Sequence, residues 1–203
     1  MAPVFVVVMG VCGTGKSTLG AALADALHLP YVDGDDLHPR SNVEKMARGV
    51  PLDDTDRMPW LSTIRARAEQ TLSEEKEYQQ NEQREGDSDG KEQERARRGV
   101  VIACSALKRV YRDELRGRGG PTAATLPTYF VFIEGSREVL MERMEKRSGH
   151  FMKAAMLDSQ QATLESPRGE EGVVCVSMED STAAQVEVVV QGLSAQGIDR
   201  LIQ

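Results

Sequence analysis

The chain has 203 residues, 40% of them hydrophobic and 28% charged, with a formal net charge of −7. That length suits one domain with a sizeable core, and the acidic balance speaks against a nucleic-acid surface, which needs clustered Lys and Arg. Three cysteines without C-x-x-C spacing, Cys12, Cys104 and Cys175, read as free thiols in a reducing compartment.

Residues 4–9, Val-Phe-Val-Val-Val-Met, are apolar on both faces, as expected of a central parallel strand covered by helices. The run is too short to cross a membrane and lacks the basic flank of a secretory signal, so a cytoplasmic protein is expected. Next comes Gly10-Val11-Cys12-Gly13-Thr14-Gly15-Lys16-Ser17-Thr18, a G-x-x-x-x-G-K-[ST] turn. Behind it Leu19, Leu23, Ala26 and Leu27 recur at helical spacing, and the helix stops before Pro30. Strand, glycine-rich turn and helix together predict a phosphate cradle for a nucleoside triphosphate such as ATP. Its backbone N–H groups point inward and the helix adds its positive end. Lys16 is expected to reach the β- and γ-phosphates, and the Ser17 hydroxyl to take a place on Mg²⁺. Cys12 reads as a small residue tolerated at a variable position of the turn.

Residues 31–36 form a short strand ending in Asp33, Asp35 and Asp36, and Val43, Met46 and Ala47 suggest a short helix closed by Gly49. A longer helix opens on the acids of 53–56 and continues through Leu61, Ile64, Ala68 and Leu72. From 73 to 98 aliphatic residues almost vanish, which predicts a solvated acidic insertion whose first part can extend the preceding helix, with a mobile loop at 86–90. A strand follows at 99–105, a helix at 106–116, a Gly/Pro/Thr-rich loop at 117–127 and a strand at 128–134. Helices are predicted at 136–147 and 153–164, broken at 148–151. The last strand is 173–177, and Ser181 caps a closing helix. Five strands alternating with helices predict a single α/β domain over 1–203, a doubly wound five-stranded parallel sheet of the P-loop type.

No Asn-Lys-x-Asp guanine-reading sequence is present, and the strand at 99–105 does not end in a carboxylate. The acids stand instead at the end of the other early strand, on the ligand-binding edge of such a sheet. One of two spaced carboxylates there supports Mg²⁺ and the other accepts a hydrogen bond from an incoming hydroxyl, which suits a small-molecule kinase. Asp33 is assigned to the metal and Asp35 to orienting the acceptor hydroxyl, with the reverse assignment open.

Long blocks of sequence then become recognisable. They are residues 9–18; Asp33-Gly34-Asp35-Asp36-Leu37-His38-Pro39 with Asn42, Lys45, Met46 and Gly49; residues 51–61; Cys104-Ser105-Ala106-Leu107-Lys108 with Tyr111-Arg112-Asp113; and Gly149-His150-Phe151-Met152 with Leu157, Ser159-Gln160 and Thr163-Leu164-Glu165. Together they resemble the P-loop gluconokinase family, over residues from the first strand to Pro167. The resemblance implies transfer of the ATP γ-phosphoryl group to the C6 hydroxyl of D-gluconate. The product, 6-phospho-D-gluconate, would feed the pentose phosphate route of carbohydrate metabolism. It also implies a lid over about 136–165 and a homodimer. The chain departs from the family pattern in the 73–98 insertion and the 117–127 loop, both between motifs.

Gluconate carries a carboxylate and a row of hydroxyls, so its pocket needs a cation and several hydrogen-bonding groups. His38, Arg57, Lys108 and Arg112 are the candidates beside Asp35. For Arg57, pairing with Asp53 or Asp54 is a competing explanation, and His38 has helix capping as its alternative. Lys108 and Arg112, four apart, are expected to share a helix face. By analogy with lids of related kinases, Arg147 is assigned to the transferring phosphoryl group, Arg143 to the nucleotide with a solvent-exposed helix charge as its alternative, and His150 to the substrate with a phosphate contact or packing beside Phe151 as its alternatives. Two other readings stay open: a kinase of the same fold for another sugar acid or shikimate, and a nucleotide-gated interaction protein.

Overall fold

Six apolar residues, Val4–Met9, form strand β1, and every one is buried. A computed structural model describes residues 3–85, 98–118, 126–145 and 150–198, with side chains described except over 78–85 and 144–155. Strands β2 (Tyr31–Asp33), β3 (Gly99–Ala103), β4 (Thr128–Glu134) and β5 (Val173–Ser177) join β1 in one sheet of order β2-β3-β1-β4-β5. All four pairings are parallel, with Val8 opposite Ala103 on one side and Val131 on the other. Parallel strands need crossover connections, which the helices α1 (Lys16–Leu27), α2 (Arg40–Ala47), α3 (Asp54–Glu85), α4 (Arg109–Leu115), α5 (Arg137–Glu145) and α6 (His150–Thr163) provide, and helix α7 (Thr182–Leu193) follows β5. The chain leaves β1 toward β2 and β3 and later crosses to β4 and β5. The end of β1 is therefore the topological switch point, where a sheet of this kind opens its ligand crevice.

The core is the sheet sandwiched by these helices, with Phe5, Val7, Ile102 and Phe130 from the strands and Leu19, Leu23, Leu27, Leu61 and Ile64 from α1 and α3. The predicted doubly wound five-stranded parallel sheet is the one observed. Ser181 caps α7 as expected, its hydroxyl accepting the Ala184 N–H at 3.2 Å.

Several boundaries differ from the prediction or are fixed only by the structure. Strand β2 stops at Asp33, because Asp33 Oδ1 accepts the Asp35 N–H at 3.1 Å and turns Gly34–Leu37 into a 3₁₀ turn. Helix α3 continues past Leu72 to Glu85; the Glu, Lys and Gln that dominate this stretch are good helix formers even with nothing to bury. Helix α4 begins at Arg109, since Ala106 adopts φ +44° and its carbonyl and that of Leu107 turn aside to Arg112 Nη1, each at 3.0 Å. Helix α6 resumes at His150. The mobile loop expected at 86–90 lies outside the described residues.

Candidate active site

The phosphate turn connects β1 to α1. Gly15 stands just ahead of α1 at φ +96°, in open space, so the backbone conformation alone requires glycine there. Thr14, 2% exposed, donates its hydroxyl to the Val11 carbonyl at 2.9 Å, and Lys16 Nζ donates to the same oxygen at 3.0 Å. The turn is thus braced from within before any ligand arrives. Burial pulls the Lys16 ammonium below its ordinary value, and the largest opposing influence is the negative charge of Asp35. Burial also pushes the Cys12 thiol up, which fits an inert turn residue rather than a nucleophile.

Across the cleft, the end of β2 is held by three donors. Ser17 Oγ donates to Asp33 Oδ2 at 2.8 Å, Tyr31 Oη to the same oxygen at 3.1 Å, and the Asp35 N–H to Oδ1. Burial lifts the Tyr31 phenol to about 12, so it stays a donor. Gly34 between the acids passes so close to β3 that a Cβ there would lie 2.3 Å from the Ala103 carbonyl oxygen, and its own carbonyl accepts the Trp60 indole N–H at 2.8 Å. This clamp leaves the two carboxylates in different states. Asp33 is fixed against Ser17, whereas the Asp35 side chain is 79% exposed.

His38 stacks on Trp60, with ring centroids 3.9 Å apart and planes inclined by 16°. Its Nε2 lies 4.0 Å from Asp35 Oδ1, and its Nδ1 stands 3.4 Å from the Asn42 amide nitrogen. Burial pulls its pKa down, Asp35 opposes and Arg57 adds to the shift, so His38 is neutral at pH 7.

The four cationic and imidazole candidates separate clearly. Asp53 caps α3 through the Thr55 and Asp56 N–H groups and pairs with Lys45, while Asp54 binds Lys108 Nζ at 2.7 and 2.9 Å and also the Tyr111 hydroxyl. Both acids that competed for Arg57 are therefore engaged elsewhere. Arg57 is 6% exposed, its Nη1 is buried with no hydrogen-bond partner among the described residues, and its guanidinium lies 5.8 Å from the centre of the Tyr111 ring. A buried, unsatisfied guanidinium nitrogen costs stability unless an anion completes it.

Arg112 is a correction. Its side chain is fully buried, with Nε and Nη2 on the Glu170 carboxylate and Nη1 on the carbonyls of Ala106 and Leu107. With its donors so committed it is a strut under the 104–108 loop, not a substrate ligand. Nor does it share a helix face with Lys108, which precedes α4 and faces Asp54. Replacing Arg112 with Ala leaves Glu170 half-paired and two buried carbonyls bare, so a loss of about 3 kcal/mol is expected in a urea or thermal melt; unchanged stability would contradict the strut.

Arg143 donates from Nη2 to the Met178 carbonyl at 2.5 Å, just beyond β5, on the opposite side of the turn from the acids. Arg147 lies outside the described residues, as does the His150 side chain. Residues that sequence reasoning gave no role are Tyr31, Trp60 and Asn42, which hold Asp33 and His38, and Gln160, whose Oε1 accepts the Cys12 N–H at 2.6 Å. Of these, Asn42, Trp60 and Gln160 stood in the recognisable blocks, the one signal that pointed to them. No group of three or more His, Cys, Asp or Glu is placed to hold a metal among the described residues, and no described helix is long and apolar enough to cross a membrane.

No protein-family model matches the chain. It is 41% identical over 194 residues to a gluconokinase of Gluconobacter oxydans, spanning 96% of this chain and 93% of that protein. Against the thermoresistant gluconokinase of Escherichia coli it is 37% identical over 191 residues, 92% of this chain and 93% of the other. The crystal structure of a gluconokinase from Sinorhizobium meliloti 1021 superposes with a TM-score of 0.74 at 41% identity, covering 96% of this chain and 93% of that one.

Proposed function

Because the chain belongs to the gluconokinase family, we propose that this cleft transfers the γ-phosphoryl group of ATP to the C6 hydroxyl of D-gluconate, giving 6-phospho-D-gluconate. The observation that carries the reading is the division between the two acids at the end of β2: Asp33 is tied to Ser17, while Asp35 is 79% exposed beside His38 and its charge acts on buried Lys16. Phosphoryl transfer asks a protein for position and for positive charge around the transferring group, with little covalent help.

The turn amides other than that of Cys12, together with Lys16, hold the phosphates. Ser17 and Asp33 offer hard oxygens, which fit a magnesium ion that keeps several waters and takes one or two protein groups. A magnesium ion held there with ATP would supply neutralisation of phosphate charge. Asp35 accepts the hydrogen bond of the gluconate C6 hydroxyl, aligns it for in-line attack and takes its proton as the new O–P bond forms and the bond from the γ-phosphorus to the bridging oxygen breaks, with ADP as leaving group. Arg57 receives the gluconate carboxylate, and neutral His38 and Lys108 flank the sugar hydroxyls. With the acids on the β2–β3 side, the β4–β5 side is left to the nucleoside, where Arg143 stands. Arg147 on the transferring phosphoryl group, His150 on the substrate and a cytoplasmic location belong to the same proposal.

The test is a coupled assay of ADP formation with gluconate, other sugar acids and shikimate as acceptors. Gluconate is expected to give the highest kcat/KM. Turnover of another acceptor without turnover of gluconate would overturn the assignment.

A further inference from the structure

Helix α6 ends against both active-site loops. Its Gln160 Oε1 accepts the Cys12 N–H of the phosphate turn at 2.6 Å. Five residues on, Glu165 N–H donates to the Leu107 carbonyl at 2.9 Å, while Glu165 Oε2 accepts the Arg109 N–H at 2.7 Å. Gln160 is thus held in register by the segment that follows it, rather than reaching across from a loose surface helix.

The bond from Gln160 has a chemical consequence for the turn. The Val11 carbonyl and the Cys12 N–H belong to one planar peptide group. Lys16 Nζ binds its oxygen at 3.0 Å and Gln160 binds its N–H. One peptide is therefore gripped from both sides, by the cation that reaches the β- and γ-phosphates and by a neutral amide from α6. The Cys12 N–H is no longer free to meet a phosphate oxygen. In its place stands the other half of the same side chain. A primary amide that uses its oxygen as acceptor still carries two N–H donors, and those of Gln160 have no protein acceptor among the described residues.

We infer that Gln160 is a catalytic residue of the phosphoryl transfer: its oxygen anchors the Cys12 N–H, which aims its NH₂ group at the γ-phosphoryl oxygens opposite Lys16. A neutral donor suits this position. Next to the Lys16 ammonium it adds hydrogen bonds to the spreading negative charge without repelling that cation. A carboxylate in the same place would keep the anchor and present an anion to the phosphoryl group. This inference rests on the reading of the turn as the ATP site.

Gln160→Glu separates the two halves of the side chain, because it preserves the acceptor for Cys12 and removes the donors. The expected result is a melting temperature within about 2 °C of the parent and a kcat lower by about 10²-fold, the usual effect of losing one transition-state donor. Binding of ADP, measured by calorimetry, should change by less than about threefold, while binding of a non-hydrolysable ATP analogue weakens by more than about tenfold, since only the latter carries a γ-phosphoryl group. Gln160→Met, which removes anchor and donors together, should lose kcat similarly and melt lower. A Gln160→Glu enzyme retaining half of the parental kcat would overturn the inference and leave Gln160 as a clasp only. So would equal weakening of ADP and the analogue. If the parent protein itself binds neither ADP nor the analogue, the ATP-site reading fails first, an outcome distinguishable from both.

Discussion

Asp35→Asn is expected to lower kcat by about 10²–10⁴-fold while leaving ATP binding within a few-fold of the parent, the range typical for removal of a positioned general base. Asparagine is nearly isosteric, and it keeps the Asp35 N–H that holds Asp33 Oδ1. The carboxylate itself is 79% exposed, with His38 Nε2 4.0 Å away. Little of the fold therefore depends on its charge, and a melt should move by no more than a few degrees. The companion variant Asp33→Asn reads differently. It weakens the Ser17 and Tyr31 bonds at the metal side, so its defect should ease as Mg²⁺ is raised, whereas that of Asp35→Asn should not. Restoration of Asp35→Asn activity by excess Mg²⁺ would exchange the two assignments.

Arg57→Met should separate stability from function. The native guanidinium is 6% exposed and has a buried nitrogen without a hydrogen-bond partner among the described residues. Methionine fills comparable space without that unsatisfied group, so the ligand-free variant is expected to melt at the parental temperature or higher. Gluconate should pay the difference, with KM rising by about 10²-fold or more, since truncating one member of a buried charge pair is a large loss. Arg57→Lys keeps the charge but not the fork that matches a carboxylate, and should fall between the two. A strongly lowered melting temperature with unchanged KM would make Arg57 a structural residue like Arg112.

The contrast between those two arginines shows where reading a sequence stops. Both precede or sit in helices near the sheet's carboxyl edge, and both looked equally able to meet an anion. Arg112 is neutralised by Glu170, 58 residues away, and Lys108 is engaged by Asp54, 54 residues away. Pairings at such separations leave no local trace, because they depend on which elements the fold brings side by side. Gln160 is a sharper case: its partner amide lies 148 residues distant.

What the sequence determined by itself was local. Apolar runs placed the strands, β4 and β5 to the residue, because burial on both faces is written as an unbroken hydrophobic stretch. The glycines of residues 10–18 and the lysine and serine behind them specified the phosphate turn, because positive φ and backbone amides need only neighbouring residues. The spacing of Asp33 and Asp35 set two acids at one strand end. Only the tertiary structure distinguished them, by giving Asp33 to Ser17 and Tyr31 and leaving Asp35 open to the cleft. It also gave Arg112 the Glu170 carboxylate and left Arg57 Nη1 without a hydrogen-bond partner among the described residues. Charge and burial are properties of the assembled environment, and that environment is made by residues far apart in the chain.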